Sequence, residues 1–151
     1  MANTTGTTTA LDHLDVDDLA ERYVALWNEP DAGRRRQLVE QLFVPDGGQV
    51  LVDPPAEIRE LADFHRFRYP QMAVHGHDSL AARVARNHGN FIASGEHRFV
   101  ATGTTRLLHH VVSVGWEMVA VADDRVAGRG TGVLDLDDDG RIRADHLYVE
   151  R

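Results

Sequence analysis

Alternating apolar and polar residues fill the last third of the chain, and this pattern limits the fold more than any other feature of the sequence. Strand patterns cover residues 97–103, 107–121, 125–136 and 141–149. Asp123 with Asp124, and the segment 137–140 (DDDG), supply the residues that tight turns prefer. Strands that follow one another through such short turns pair antiparallel, so we predict a β-meander.

Helical spacing of apolar residues precedes the meander. Helical patterns cover residues 15–31, 31–47 and 77–91, and a short strand pattern covers 49–53. In the first of these, Leu19, Tyr23 and Leu26 share one side, and Asp15 or Asp17 can cap the helix. Helices followed by antiparallel strands predict an α+β domain, with three N-terminal helices covering one face of a curved sheet.

Length and composition fit a single domain. The chain has 151 residues, of which 42% are hydrophobic, enough for a proper core. We expect a disordered Thr-rich tail over residues 1–13 and a domain over 14–151. The chain begins with neither a basic nor an apolar leader pattern and has no apolar run of about 20 residues, so we expect a cytoplasmic location and no membrane contact.

Charge and residue usage exclude several functional classes. The net charge is −8, which argues against nucleic acid as a partner. The chain has no cysteine, so disulfides, thiolate catalysis and cysteine-ligated zinc are excluded. Nine histidines include His75 and His77, with His65 upstream, but two ligands at this spacing are a weak metal signal. We expect no metal and no cofactor.

A carboxylate stands where the first strand leaves the apolar interior. Asp53 follows the apolar residues 50–52 and precedes Pro54 and Pro55. It is either a solvated turn residue or a carboxylate at the mouth of a pocket, where apolar walls would raise its pKa and make it a useful base.

The order of elements resembles the SnoaL-like and ketosteroid-isomerase-like families of the superfamily named after nuclear transport factor 2. The likeness is carried by residues 22–31 (RYVALWNEPD), 42–55 (LFVPDGGQVLVDPP) and 114–142. It implies a cone of curved, antiparallel or mixed sheet wrapped over the helices (a cystatin-like α+β barrel), with a deep pocket at the open end. It also implies a homodimer formed through the outer face of the sheet.

The resemblance assigns roles to particular residues. It implies that Tyr23 donates a hydrogen bond to a developing oxyanion and that Asp53 moves the proton. The family's third group, a protonated Asp, falls at Gly132, so the pattern is broken there. If the last hairpin pairs Leu136 with Arg141, Gly132 lies opposite Asp145, whose carboxyl could fill the gap.

Further residues are candidates for the pocket. The alternation of Gly128, Gly130 and Gly132 either leaves room for a bulky ligand or marks bends in the sheet. His110 has the parity of the apolar residues on its predicted strand and would stand near the pocket rim as a further catalytic candidate. The apolar walls that we predict are Trp27, Phe64, Val112 and Trp116.

The resemblance therefore implies a cofactor-independent enzyme. We expect an isomerase or a polyketide-cyclase type of enzyme, which moves a proton on a small apolar carbonyl compound. The alternative is a non-catalytic module of the same fold that binds a small ligand or dimerises. Residues 54–75 are an insertion and a candidate lid.

Overall fold

The protein is an α+β domain, in which three helices pack on one six-stranded sheet. The computed structural model describes residues 6–52 and 72–150. The helices are α1 (Val16–Asn28), α2 (Ala32–Leu42) and α3 (His77–Asn87). The strands are β1 (Phe43–Leu51), β2 (Ala73–His75), β3 (His97–Leu108), β4 (Val111–Ala120), β5 (Val126–Leu136) and β6 (Ile142–Val149). The fold class that the sequence predicts is thus confirmed.

The sheet is mixed and open. Its strand order is β2-β1-β6-β5-β4-β3. β1 runs parallel to β6, and every other neighbouring pair is antiparallel. Because β2 and β3 are edge strands, the described sheet does not close on itself, and the predicted barrel is a half-open one.

Helix α1 forms where the sequence predicts it. The carboxylate of Asp15 accepts hydrogen bonds from the backbone N–H groups of Asp17 and Asp18, at 3.0 and 3.1 Å, and so caps the helix. Its apolar side is buried, with Leu19 and Leu26 fully inaccessible. This side also carries Tyr23 into the protein interior.

The first strand begins earlier than the sequence predicts. Helix α2 ends at Leu42, and Phe43 already belongs to β1, so the strand contains Pro45 and the following glycines. Phe43 is 1% exposed and pairs with Ile142 of β6. This pairing ends the helix before the turn residues are reached, and a break in register before Gly48 absorbs them.

The long strand predicted over residues 107–121 is wrong. β3 extends to Leu108, and the chain then turns at His109 and His110 before β4 begins. The Arg106 side chain stabilises this turn by donating hydrogen bonds to the carbonyl oxygen of His109, at 2.9 and 3.1 Å. Alternation alone could not show this turn, because the turn residues are not of the usual types.

Part of the predicted tail is structured. Ala10–His13 form a 3₁₀ turn, and Leu11 within it is 3% exposed. The Leu11 N–H donates a hydrogen bond of 3.0 Å to the carbonyl oxygen of Asp138. The domain therefore begins before residue 14.

No helix in the described ranges is long and apolar enough to cross a bilayer.

Two of the three alternating glycines of β5 make room for protein side chains. A Cβ at Gly130 would clash with the indole ring of Trp116 and with the carbonyl oxygen of Tyr148. A Cβ at Gly128 would meet only the Met118 methyl group, at 3.9 Å. At Gly130 the space predicted for a bulky ligand is therefore filled by Trp116.

Gly130 and Gly128 give a matched pair of variants. Gly130→Ala should lower the free energy of unfolding by about 1–3 kcal/mol, because its methyl group is forced against a ring and a backbone oxygen. Gly128→Ala, on the same strand and face, should leave it almost unchanged. Denaturant titration measures both, and equal effects of the two substitutions would contradict this assignment.

Candidate functional site

A tyrosine and an aspartate meet inside the protein although 122 positions separate them in the chain. The Tyr23 hydroxyl donates a hydrogen bond of 2.6 Å to Oδ2 of Asp145. Tyr23 is 2% exposed and Asp145 is inaccessible. The structure thus brings together two of the residues that the sequence selected as catalytic candidates.

The secondary structure explains this meeting. Tyr23 lies one helical turn after Leu19, on the side of α1 that is buried. Asp145 pairs with Leu134 of β5, which is also inaccessible. Directly opposed residues of paired strands share a face, so Asp145 projects from the core face of the sheet towards α1.

Glycine at position 132 provides the space for the pair. A Cβ there would lie 3.0 Å from the Tyr23 hydroxyl oxygen and 3.1 Å from Asp145 Oδ1. The predicted register was wrong by two residues, since Gly132 pairs with Leu147 and Asp145 pairs with Leu134. A shift of two preserves the face, so the Asp145 carboxyl still reaches the gap that Gly132 leaves.

Two further polar side chains continue this contact across the sheet. Gln49 of β1, also inaccessible, donates a hydrogen bond of 2.8 Å from Nε2 to Asp145 Oδ2. Arg83 of α3 donates from its guanidinium to Oε1 of Gln49 at 3.2 Å and to the backbone oxygen of Gln49 at 3.4 Å. Asp145 Oδ2 therefore accepts two hydrogen bonds, from α1 and from β1.

The other carboxyl oxygen of Asp145 is different. Oδ1 is buried and has no hydrogen-bond partner in the part of the chain that the structure describes. An unpartnered buried carboxyl oxygen is costly, because it has lost its water without a replacement. Oδ1 is thus the atom at which this site can take up or release a proton.

Burial sets the ionisation of both groups. Loss of solvent raises the pKa of Asp145 from its ordinary value of 3.8 to about 6, against the opposing effect of the hydrogen bonds from Tyr23 and Gln49 and of the His146 and Arg83 charges. Burial, and next the charge of Asp145, raise the pKa of Tyr23 well above its ordinary value. Tyr23 therefore stays protonated and remains the donor.

The predicted wall residues that the structure describes lie around the core, but not all of them face the pair. Trp27 packs edge-to-face on Tyr23, with ring centroids 6.4 Å apart. Val112 is fully buried in the core, and Trp116 packs edge-to-face on Phe99 with centroids 5.6 Å apart. Trp27 is thus the wall residue in ring contact with the pair.

The structure does not place His110 on a strand. It lies in the turn between β3 and β4, its side chain is 53% exposed, and its Nε2 lies 4.0 Å from a carboxylate oxygen of Asp135. The parity argument that put His110 beside the apolar residues of β4 is wrong, because the hairpin turn interrupts the strand. Asp53 and Phe64 lie outside the described residues.

A groove of about 480 Å³ lies between α1 and β3. Val24, Asn28, Phe99 and Ala101 are among its lining residues, whereas Tyr23 and Asp145 are not. Within the described ranges, no three His, Asp or Glu side chains come close enough together to hold a metal ion. This groove therefore does not open onto the Tyr23–Asp145 pair.

Sequence reasoning missed Gln49 and Arg83. Gln49 is an amide that directly precedes the apolar run of residues 50–52, and Arg83 occupies the helix side shared by Leu80 and Val84. A polar residue on an otherwise buried side is the signal that could have identified either one. Only the fold shows that both contact the same carboxyl group.

Solved structures of similar fold include several bacterial proteins. One from Agrobacterium tumefaciens str. C58, named as a candidate isomerase of the SnoaL-like family, is 25% identical, with a TM-score of 0.69, covering 90% of this chain and 97% of that one. An NTF2-like protein of unknown function from Exiguobacterium sp. 255-15 is 18% identical, with a TM-score of 0.59, covering 87% and 98%. A candidate SnoaL-like polyketide cyclase from Jannaschia sp. CCS1 is 12% identical, with a TM-score of 0.58, covering 99% and 92%.

Comparison by sequence gives a different result. No protein-family model matches the chain, and no curated protein matches it. The resemblance that the sequence suggested is thus confirmed through the fold.

The raised pKa of Asp145 predicts a pH dependence of stability. The folded state holds the proton more tightly than the unfolded state, so stability should fall as pH rises from about 4 to about 6. A difference of about two units between the pKa of Asp145 in the folded state and in the unfolded state corresponds to about 3 kcal/mol in the free energy of unfolding. Asp145→Asn imitates the protonated carboxyl and cannot ionise. The variant should therefore be about as stable as the wild type at pH 4, and at pH 7 its free energy of unfolding should be higher by about 3 kcal/mol.

Denaturant titration across this pH range measures the difference. Asp135→Asn, which removes a partly exposed carboxylate from the neighbouring strand, is the matched control and should follow the wild type. Parallel stability curves for Asp145→Asn and the wild type would show that Asp145 ionises normally.

Proposed function

We propose that the chain, which shares its fold with SnoaL-like and NTF2-like proteins, is a cofactor-independent enzyme of the SnoaL-like type. Its substrate is a small, largely apolar carbonyl compound. The reaction moves a proton at the carbon next to the carbonyl, which gives isomerisation or an aldol-type cyclisation.

The observation that carries the proposal is Oδ1 of Asp145, which lies beside the Tyr23 hydroxyl and has no hydrogen-bond partner among the described residues. Burying a carboxyl group without a cation in direct contact lowers stability, and an apolar side chain would serve a core better. Groups with strongly shifted pKa values cluster at functional sites, because catalysis needs them. The Asp145 environment fits a catalytic role better than a structural one.

The chemistry follows from the two oxygens of Asp145. Oδ2 accepts hydrogen bonds from Tyr23 and Gln49, which fix the carboxylate in place. Oδ1 takes the proton from carbon, and the C–H electron pair moves into the enolate. The carboxylic acid then returns the proton to a different carbon. In the aldol case the enolate attacks a second carbonyl carbon, and the acid gives its proton to the alkoxide that this forms. A pKa of about 6 suits both directions near neutral pH.

The partners of the proposed enzyme are a small apolar substrate and a second copy of the chain. Dimerisation through the outer sheet face stays a proposal, and Tyr148, 45% exposed on β6, lies on that face. Light scattering of the purified protein measures the mass in solution.

Isotope exchange tests the proposed activity without knowledge of the true substrate. The protein is incubated in deuterium oxide with a panel of small apolar ketones, and proton NMR follows the loss of the signal next to the carbonyl. We expect exchange with the wild type, and a loss of about 100-fold or more with Asp145→Asn. Tyr23→Phe should also slow exchange, because Oδ2 loses a donor.

Matched variants separate catalysis from folding. Asp135→Asn and Tyr148→Phe change a partly exposed Asp and an exposed Tyr, and both variants should exchange at the wild-type rate. Asp53→Asn is measured in the same exchange assay, because the resemblance assigns the proton transfer to Asp53. Loss of exchange in Asp53→Asn together with full activity in Asp145→Asn would contradict the role of Asp145. Binding of ketones without any exchange would favour the ligand-binding module.

A further inference from the structure

A line of polar side chains crosses the protein from α3 to β6. It begins at the Arg83 guanidinium, passes through the Gln49 amide and ends at the Asp145 carboxyl, which Tyr23 contacts from the other side. Three of these four residues are buried, and Arg83 is half-buried. The buried end of this line is the proposed reactive group.

The chemistry of arginine determines which way the Gln49 amide faces. A guanidinium only donates hydrogen bonds, so the group facing it must be an oxygen. Arg83 donates to both oxygens of Gln49, the side-chain Oε1 and the backbone carbonyl. The amide nitrogen is therefore turned to Asp145 Oδ2, at 2.8 Å. In the reverse orientation, the amide nitrogen would face a cation and the amide oxygen would face a carboxylate.

The orientation of this amide decides where Asp145 carries its proton. With the nitrogen facing it, Oδ2 accepts from Gln49 and from Tyr23, and both contacts favour the ionised carboxyl. Protonation then falls on Oδ1, next to Gly132. With the oxygen facing it, Gln49 would accept a hydrogen bond from a protonated Oδ2 and so stabilise the neutral acid in an unreactive form.

We propose that Arg83 is a positioning residue, which acts through the Gln49 amide to keep the exchangeable proton of Asp145 on Oδ1. That this positioning serves catalysis rests on the proposed function. The position of the proton on Asp145 can be measured in the protein without a substrate. Among the described residues, the charged and titratable groups that act on Asp145 are Tyr23 on α1, Arg83 on α3 and His146 on β6, and Gln49 on β1 is the neutral partner.

Carbon-13 NMR of the Asp145 carboxyl group tests this role in the protein without a ligand. Arg83→Met should move the midpoint of the Asp145 titration upward by about one pH unit, because the amide is free to reverse. Arg86→Met is the matched control. It removes the same charge from an exposed position on the same helix, and the midpoint should stay at the wild-type value.

A double-mutant cycle separates the indirect effect from the direct charge of Arg83. Gln49→Met should raise the midpoint by itself, and adding Arg83→Met should then change it little. Additive shifts would show that Arg83 acts by its charge alone, and an unchanged midpoint in Arg83→Met would show no effect. Either result overturns the proposal. If Arg83→Met does not fold, Arg83→Gln should give the same upward shift, because a glutamine can face the Gln49 amide in either orientation.

The exchange assay tells failure of this proposal apart from failure of the proposed function. If the wild type exchanges ketone protons, the pH profile of the Arg83→Met rate should shift upward together with the titration midpoint. An active wild type with an unshifted Arg83→Met midpoint and profile overturns the positioning role only. An inactive wild type with the expected midpoints overturns the proposed function only.

Discussion

The hydrogen bond between the Tyr23 hydroxyl and Asp145 joins the first helix to the last strand, and the contacts of Gln49 and Arg83 continue from it. A carboxyl group that has lost all contact with water must either become neutral or be surrounded by donors. Asp145 combines the two. Its Oδ2 accepts hydrogen bonds from Tyr23 and Gln49, and its Oδ1, which has no partner among the described residues, can bind a proton.

The fold supports this arrangement at every level. Parallel pairing of β1 with β6 places Gln49 directly beside Asp145. The missing side chain of Gly132 leaves the space that the tyrosine ring and the carboxyl occupy. Helix α3 then brings Arg83 behind Gln49. The resemblance would place a carboxyl group at position 132 of β5. In this chain that position is glycine, and the carboxyl group of Asp145 on β6 lies next to it.

The sequence predicted most of the fold and half of the site. Periodicity identified α1 with Asp15 or Asp17 as its cap, the strand order of the meander, and the burial of Tyr23, because these depend on local spacing and on one apolar face. It failed at His110, where two histidines form a hairpin turn without the usual turn residues. It also missed Gln49 and Arg83, since no local pattern states which polar groups on distant elements will meet.

A crystal structure of the protein with a bound small apolar phenol, grown near neutral pH, tests most directly whether the Tyr23–Asp145 pair forms a binding site. A phenol presents the oxygen of an enolate in a stable form. The account predicts the ring carbon next to the C–O group within about 3.5 Å of Asp145 Oδ1, with the Tyr23 hydrogen bond to Oδ2 retained. A phenol bound only in the groove between α1 and β3, with Asp145 Oδ1 still enclosed by protein, would contradict it.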